Sequence, residues 1–195
     1  MIELIVIGGS AGALEALLAF VPALPDELTV PIVIVLHVGH TQKNLVPEIL
    51  GNVTQRPVVE ADDKQPLRAG HIYIAPPNYH LLVERTRTLA LSVDEPVYYS
   101  RPSIDVLFEA AADAYGAGCA GVLLSGANED GARGLERIAE AGGRAFVQAP
   151  LTANQPTMPA AGVRRLGDRA IVMTMPEMAN ALARICAHAY GEGRP

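Results

Sequence analysis

The chain has 195 residues, half of them hydrophobic and 18% charged, with a formal net charge of −6. That length suits one domain with a sizeable core, and the apolar richness points to strands buried on both faces, as in a parallel sheet. The acidic balance, the lack of Lys/Arg clusters beyond Arg164-Arg165 and the absence of tryptophan argue against a nucleic-acid surface.

Leu4 to Ile7 reads as a short buried strand, and Ala13 to Phe20 as the helix after a glycine turn. Ile32 to Leu36 is the second strand, ended by His37-Val38-Gly39-His40, with a helix near Asn44 to Leu50. His71 to Ala75 is a β-branched and aromatic run broken by Pro76-Pro77. Tyr79 to Val83 and Thr88 to Val93 flank the charged connector Glu84 to Arg87 and predict a hairpin. A helix follows from Pro102 to about Tyr115, with proline in its first turn. Gly121 to Leu124 is a strand ending at Ser125-Gly126, and Gly131 to Ala141 a helix stopped by Gly142-Gly143. Ala145 to Gln148 and the stretch near Ala170 to Met173 are strands, and a helix runs from Pro176 to about Tyr190 before a frayed tail, Gly191 to Pro195.

Strands alternating with helices predict an α/β fold. The sheet is doubly wound and mainly parallel, in three layers (α/β/α), with a β-hairpin near residues 79–93. No internal repeat or linker divides the chain, so a single domain over residues 1–195 is expected. No apolar run is long enough to cross a bilayer, and no secretion signal opens the chain. Cys119 and Cys186 lack disulfide or zinc spacing. The expectations are therefore a cytoplasmic protein without membrane insertion, metal or cofactor.

Ile7-Gly8-Gly9-Ser10-Ala11-Gly12 closes the first strand, and two chemistries compete for it. A dinucleotide turn needs G-x-G-x-x-G, but Ser10 occupies the second glycine position and His37, rather than an acid, ends the second strand. A flavodoxin-like phosphate site stays open, because a hydroxyl at a helix N-terminus binds phosphate. The alternative is a nucleophile: Gly8-Gly9-Ser10-Ala11-Gly12 matches G-x-S-x-G, whose small neighbours permit a sharp turn that exposes the hydroxyl. A nucleophilic serine needs a base, and the base an orienting acid. His37 follows the second strand, and Asp130 follows the strand at Gly121 to Leu124, both at carboxyl ends, where open sheets collect functional residues. Taken singly, His37 is as well read as a strand cap and Asp130 as a helix cap. The order Ser, His, Asp differs from that of the α/β-hydrolases.

At these residues the chain resembles the catalytic domain of the chemotaxis protein-glutamate methylesterases, the CheB family. The serine turn is similar to the family's IGASTGG, Val35-Leu36-His37 to its histidine strand end, and Ile74-Ala75-Pro76 with His80 to its AP-x-x-x-H segment. Arg101-Pro102-Ser103-Ile104-Asp105-Val106-Leu107-Phe108 resembles its RPS-hydrophobic-DVLF signature, and Val122 to Gly131 its VxLTGMGxDG segment. The resemblance implies that Ser10 attacks, His37 takes its proton and Asp130 orients the imidazole. Ala11, Ala127, His80 and Arg101 then fall to the oxyanion hole or to substrate contact. The implied substrate is a glutamate γ-methyl ester on the cytoplasmic helices of a chemoreceptor, with glutamine deamidation as a second reaction. Many members carry a receiver domain ahead of the esterase. None is expected here, where the first strand begins almost at once, so control would fall to substrate supply or a separate partner. Ala11, Ala13 and Ala127 depart from the family's threonine, glycine and methionine, which keeps a noncatalytic signalling module as the rival reading.

Overall fold

The computed structural model describes residues 1–37 and 44–187. Its strands are β1 (Leu4–Gly9), β2 (Ile32–Leu36), β3 (Val58–Glu60), β4 (Ile72–Ile74), β5 (His80–Val83), β6 (Leu89–Ser92), β7 (Cys119–Leu123), β8 (Arg144–Gln148) and β9 (Ile171–Met173). The helices are α1 (Ala13–Phe20), α2 (Val46–Gly51), α3 (Ile104–Tyr115), α4 (Ala132–Glu140), α5 (Thr157–Leu166) and α6 (Met175–Ala187). Seven strands form one sheet in the order β3-β4-β2-β1-β7-β8-β9, with every pairing parallel. β5 and β6 make a separate antiparallel hairpin.

Side-chain alternation along the central strand builds two cores. Ile5 and Ile7 face one way, into a cluster with Leu17 and Phe20 of α1, Leu50 of α2 and Leu182 of α6. Leu4 and Val6 face the other way, into a cluster with Phe108 of α3, Leu135 of α4, Met158 of α5 and Leu81 of the hairpin. All six residues of β1 are buried, which explains its continuous apolar run and gives the three expected layers. Each such side chain removed from water stabilises the fold by about 1.5–3 kcal/mol.

From β1 the chain winds outward through β2, returns to β7 on the other side, and winds outward again. The reversal therefore lies at the carboxyl ends of β1 and β7, where a crevice opens in sheets of this kind.

Several elements differ from the sequence reading. β1 runs on through both glycines, because Gly8 and Gly9 pair in register with Val35 and Leu36. β3 and α5 were not anticipated: β3 is a three-residue edge strand, and α5 is flanked and entered by Pro156 and Pro159, which read as loop. Pro159 sits in the first helical turn, where no backbone N–H is required. Pro102 instead lies outside α3, ahead of Ser103, whose hydroxyl caps the helix by accepting from Val106 N at 3.5 Å. Residues 38–43 and 188–195, including His40, His188 and the expected frayed tail, lie outside the described residues.

Candidate active site

Strand register brings Ser10 and His37 together. Gly9 and Leu36 are paired neighbours on β1 and β2, and each candidate residue is the next in its chain. His37 N donates to Gly9 O at 3.1 Å, and Ser10 N donates to Ser125 O at 2.9 Å across on the β7 side. Ser10 thus stands at the sheet's reversal point, between the ends of two neighbouring strands. Two glycines make the turn possible. A Cβ on Gly8 would overlap Ile104 of α3, and Gly12 adopts φ 78°, the left-handed region that side chains disfavour.

A second set of residues fixes the turn from behind. The buried Ser125 hydroxyl donates to Ala11 O at 2.7 Å and accepts from Gln155 N at 2.9 Å. Ser125 N donates to Gln148 Oε1 at 2.9 Å, and Gln148 Nε2 donates to Thr152 O at 3.2 Å. This network ties the serine turn to the segment before α5. Sequence reasoning assigned no role to Ser125 or Gln148; the one available signal was a hydroxyl at the end of a strand.

Asp130 is fully buried and bonded on every side. His37 Nε2 lies 2.9 Å from Oδ2. Ile104 N donates to the same oxygen at 2.8 Å, while Asp105 N and the Ser103 hydroxyl donate to Oδ1, each at 2.9 Å. The carboxylate therefore sits at the N-terminus of α3, where free N–H groups and the helix dipole favour negative charge. Burial alone would raise its pKa, but the bonds from His37 and from the Asp105 and Ile104 amides outweigh it and hold the group below its ordinary value. An ionised carboxylate only accepts, so the proton between the two residues belongs to His37 Nε2. In the neutral ring Nδ1 then carries the lone pair. This reverses the assignment in the serine-protease template, in which Nδ1 faces the acid.

Asp130 does not cap its own helix: Gly131 takes the N-cap of α4, with no side-chain cap. That task falls to Asp105, in the first turn of α3, whose Oδ1 accepts from Gly131 N at 2.9 Å and Gly134 N at 2.7 Å. The two helices thus exchange aspartates. Asp105 Oδ2 has no hydrogen-bond partner among the described residues, and Arg133 Nε stands 3.6 Å away. Burial pushes this carboxyl up to about 6, with Gly134 N opposing and the charge of Asp130 adding to the rise.

His80 and Arg101 are placed differently from the substrate contacts expected of them. His80 is 1% exposed and bonded at both nitrogens: Nε2 to Glu95 O at 3.1 Å, Nδ1 from Ser103 N at 3.1 Å. Arg101 does not pair with Asp105; its Nη1 donates to Val93 O at 2.7 Å and Asp94 O at 3.0 Å. Both residues hold the loop that precedes α3. Ala11 and Ala127 are exposed, and neither backbone amide bonds a described residue. Among the described residues no group of three or more His, Cys, Asp or Glu could hold a metal ion. No helix there is long and apolar enough to cross a membrane. A cavity of about 930 Å³ among Met1, Ile2, Pro25, Leu28 and Cys186 is lined by none of these site residues.

A family model described as CheB methylesterase matches residues 5–182. A Leptospira interrogans protein assigned as a protein-glutamate methylesterase/protein-glutamine glutaminase is 47% identical over 161 residues, 83% of each chain. A Hydrogenovibrio crunogenus protein-glutamate methylesterase/protein-glutamine glutaminase is 37% identical over 149 residues, 75% of this chain and 39% of that one. The crystal structure of the Thermotoga maritima CheB methylesterase catalytic domain matches with a TM-score of 0.89 and 25% identity, covering 95% of this chain and 99% of that one. Fold, sequence and the match across nearly the whole chain agree, and the chain belongs to the CheB methylesterase family.

Proposed function

We propose that this chain is a single-domain serine hydrolase that removes the methyl group from glutamate γ-methyl esters on the cytoplasmic helices of chemoreceptors. The observation that carries the reading is the buried, ionised Asp130 bonded to His37 beside the serine turn. Ser10 Oγ attacks the ester carbonyl while His37 Nδ1 takes the hydroxyl proton, and Asp130 stabilises the resulting imidazolium. The amides of Ala11 and Ala127 face the oxyanion, whose charge develops only in the transition state. Collapse expels methanol, which leaves with the proton held by His37. Water then attacks the acyl-enzyme through the same base, releasing the glutamate carboxylate and restoring Ser10. A glutamine side chain follows the same course with ammonia as the leaving group.

Methanol release from a methylated receptor fragment tests the proposal, comparing the unaltered chain with Ser10→Ala. Release that persists in Ser10→Ala would exclude the serine as nucleophile. No release from either chain, together with no labelling of Ser10 by a serine-reactive organophosphonate, would leave the noncatalytic module suggested by Ala11, Ala13 and Ala127.

A further inference from the structure

The two amides assigned to the oxyanion, Ala11 N and Ala127 N, belong to peptide units whose carbonyl ends are held. A trans peptide points its N–H opposite to its C=O, so a bond to the carbonyl sets the direction of the amide. In the Ser10–Ala11 unit, Ser10 O accepts from Ala13 N, the first residue of α1, at 3.0 Å. In the Gly126–Ala127 unit, Gly126 O accepts from Met158 N, in the first turn of α5, at 2.9 Å. Each amide is aimed by its own carbonyl, one from α1 and the other from α5. Neither bond fixes one amide relative to the other.

That connection runs through Ser125, which is 1% exposed. Its hydroxyl has one proton, and the 2.7 Å contact to Ala11 O takes it in preference to Gln155 O at 3.4 Å. The same oxygen accepts from Gln155 N at 2.9 Å, and Gln155 O accepts from Gly126 N at 3.0 Å, one residue before the second donor. Ser125 O also accepts from Ser10 N at 2.9 Å. Ser125 therefore grips the first donor peptide on both flanks, at Ser10 N and at Ala11 O. Only the hydroxyl reaches the Ala11 flank, and only it carries that flank on to the segment leading into α5. Buried Gln148 holds Ser125 in turn, its Oε1 accepting from Ser125 N at 2.9 Å.

Resting on the proposed esterase function, we infer that Ser125 is a positioning residue for that reaction, whose hydroxyl sets the Ala11 and Ala127 amides relative to each other. It acts through the two amides rather than on the ester or on His37. The charge they meet develops only in the transition state, so the effect falls on kcat and leaves KM and the titration of the base in place. Losing an oxyanion donor outright costs about 10²- to 10³-fold in rate, and losing its alignment costs part of that.

The test compares Ser125→Ala, Ser125→Cys and Ser125→Thr with the unaltered chain in methanol release from a methyl-esterified chemoreceptor cytoplasmic fragment. For Ser125→Ala, kcat should fall roughly ten-fold with KM within about two-fold, and the pH profile of kcat/KM should keep its midpoint. Ser125→Thr restores the hydroxyl and should return turnover to within about three-fold of the unaltered chain. Ser125→Cys fills the space with a weaker donor and should fall between the two; it carries the test if the alanine variant fails to fold. Labelling of Ser10 by a serine-reactive organophosphonate should slow in parallel with kcat, because the phosphoryl oxygen draws on the same amides. A lowered melting temperature with unchanged kcat would make Ser125 purely structural and overturn the inference. A threonine variant as slow as the alanine one, or a displaced pH midpoint, would overturn it equally. An unaltered chain that releases no methanol would instead count against the esterase reading, since the inference is read from the ratio of each variant to an active parent.

Discussion

At the start of α3 lies Asp130, which belongs to the approach to α4; at the start of α4 lies Asp105, which belongs to α3. Both carboxylates are fully buried and both accept helix amides, yet their acidities move in opposite directions. Partners explain the difference. Asp130 has bonds on both oxygens and a histidine among the donors, whereas Asp105 has two amides on one oxygen and no hydrogen bond on the other. Burial therefore wins at Asp105 and loses at Asp130. A helix N-terminus alone does not keep a buried carboxylate ionised, nor does the Arg133 guanidinium 3.6 Å from Asp105; the number of donors bonded to the oxygens decides.

The comparison is broken most severely by Asp130→Asn. The amide accepts poorly from four donors and cannot stabilise imidazolium, so turnover should fall by about 10²-fold or more while substrate binding is largely kept. A modest turnover loss with a large drop in melting temperature would assign Asp130 to α3 alone. Asp105→Ala comes next: it strands the amides of Gly131 and Gly134, and denaturant unfolding should register a loss of about 1–3 kcal/mol. Asp105→Asn keeps an acceptor for those amides and should lose far less.

The same pair predicts a pH signature. Asp105 has its pKa raised from 3.8 to about 6 on folding, so its contribution is full below the unfolded value and is lost as pH rises toward and through about 6. Asp130, with its pKa lowered, contributes above its unfolded value and loses that contribution as pH falls through the folded one. Asp105→Asn removes only the first effect. Its melting temperature relative to the unaltered protein should therefore be more favourable above neutrality than near pH 4.5; a pH-independent difference would show that Asp105 stays ionised. The smallest effect is expected for Ser103→Ala, which removes one donor to Asp130 and a weak cap. Turnover should fall by roughly 3- to 10-fold, because the lost bond is partly made in the ground state as well.

The elements most legible in the sequence were those whose signal is local. Ala13–Phe20 and Ile32–Leu36 have the expected bounds, because an apolar run there meets a glycine turn or a polar stop. α5 was hidden by its prolines, and β3 by being three residues of an edge. Ser10, His37 and Asp130 were candidates because each follows a strand; the strand pairing that sets Ser10 beside His37, and the bond from His37 to Asp130, lay in the topology. The exchange between Asp105 and Asp130 could not be read, since it joins residues 25 apart through the packing of two helices. His80 and Arg101 lie in recognisable segments, but a polar side chain's sequence position does not say whether it points toward substrate or toward its own loop.

Ile104 carries one more consequence. Its side chain fills the space that a Cβ on Gly8 would occupy, and it would meet a Cβ on Gly131 at 2.5 Å, while its amide bonds Asp130. One isoleucine is thus wedged between β1, which runs up to Ser10, and the turn that carries Asp130, and its width spaces those two segments apart. Positions 8, 104 and 131 are thus sterically coupled. An alanine at Gly8 or Gly131 calls for a smaller side chain at 104, and a larger one at 104 has nowhere to put the added carbon without prising the end of β1 and the Asp130 turn apart.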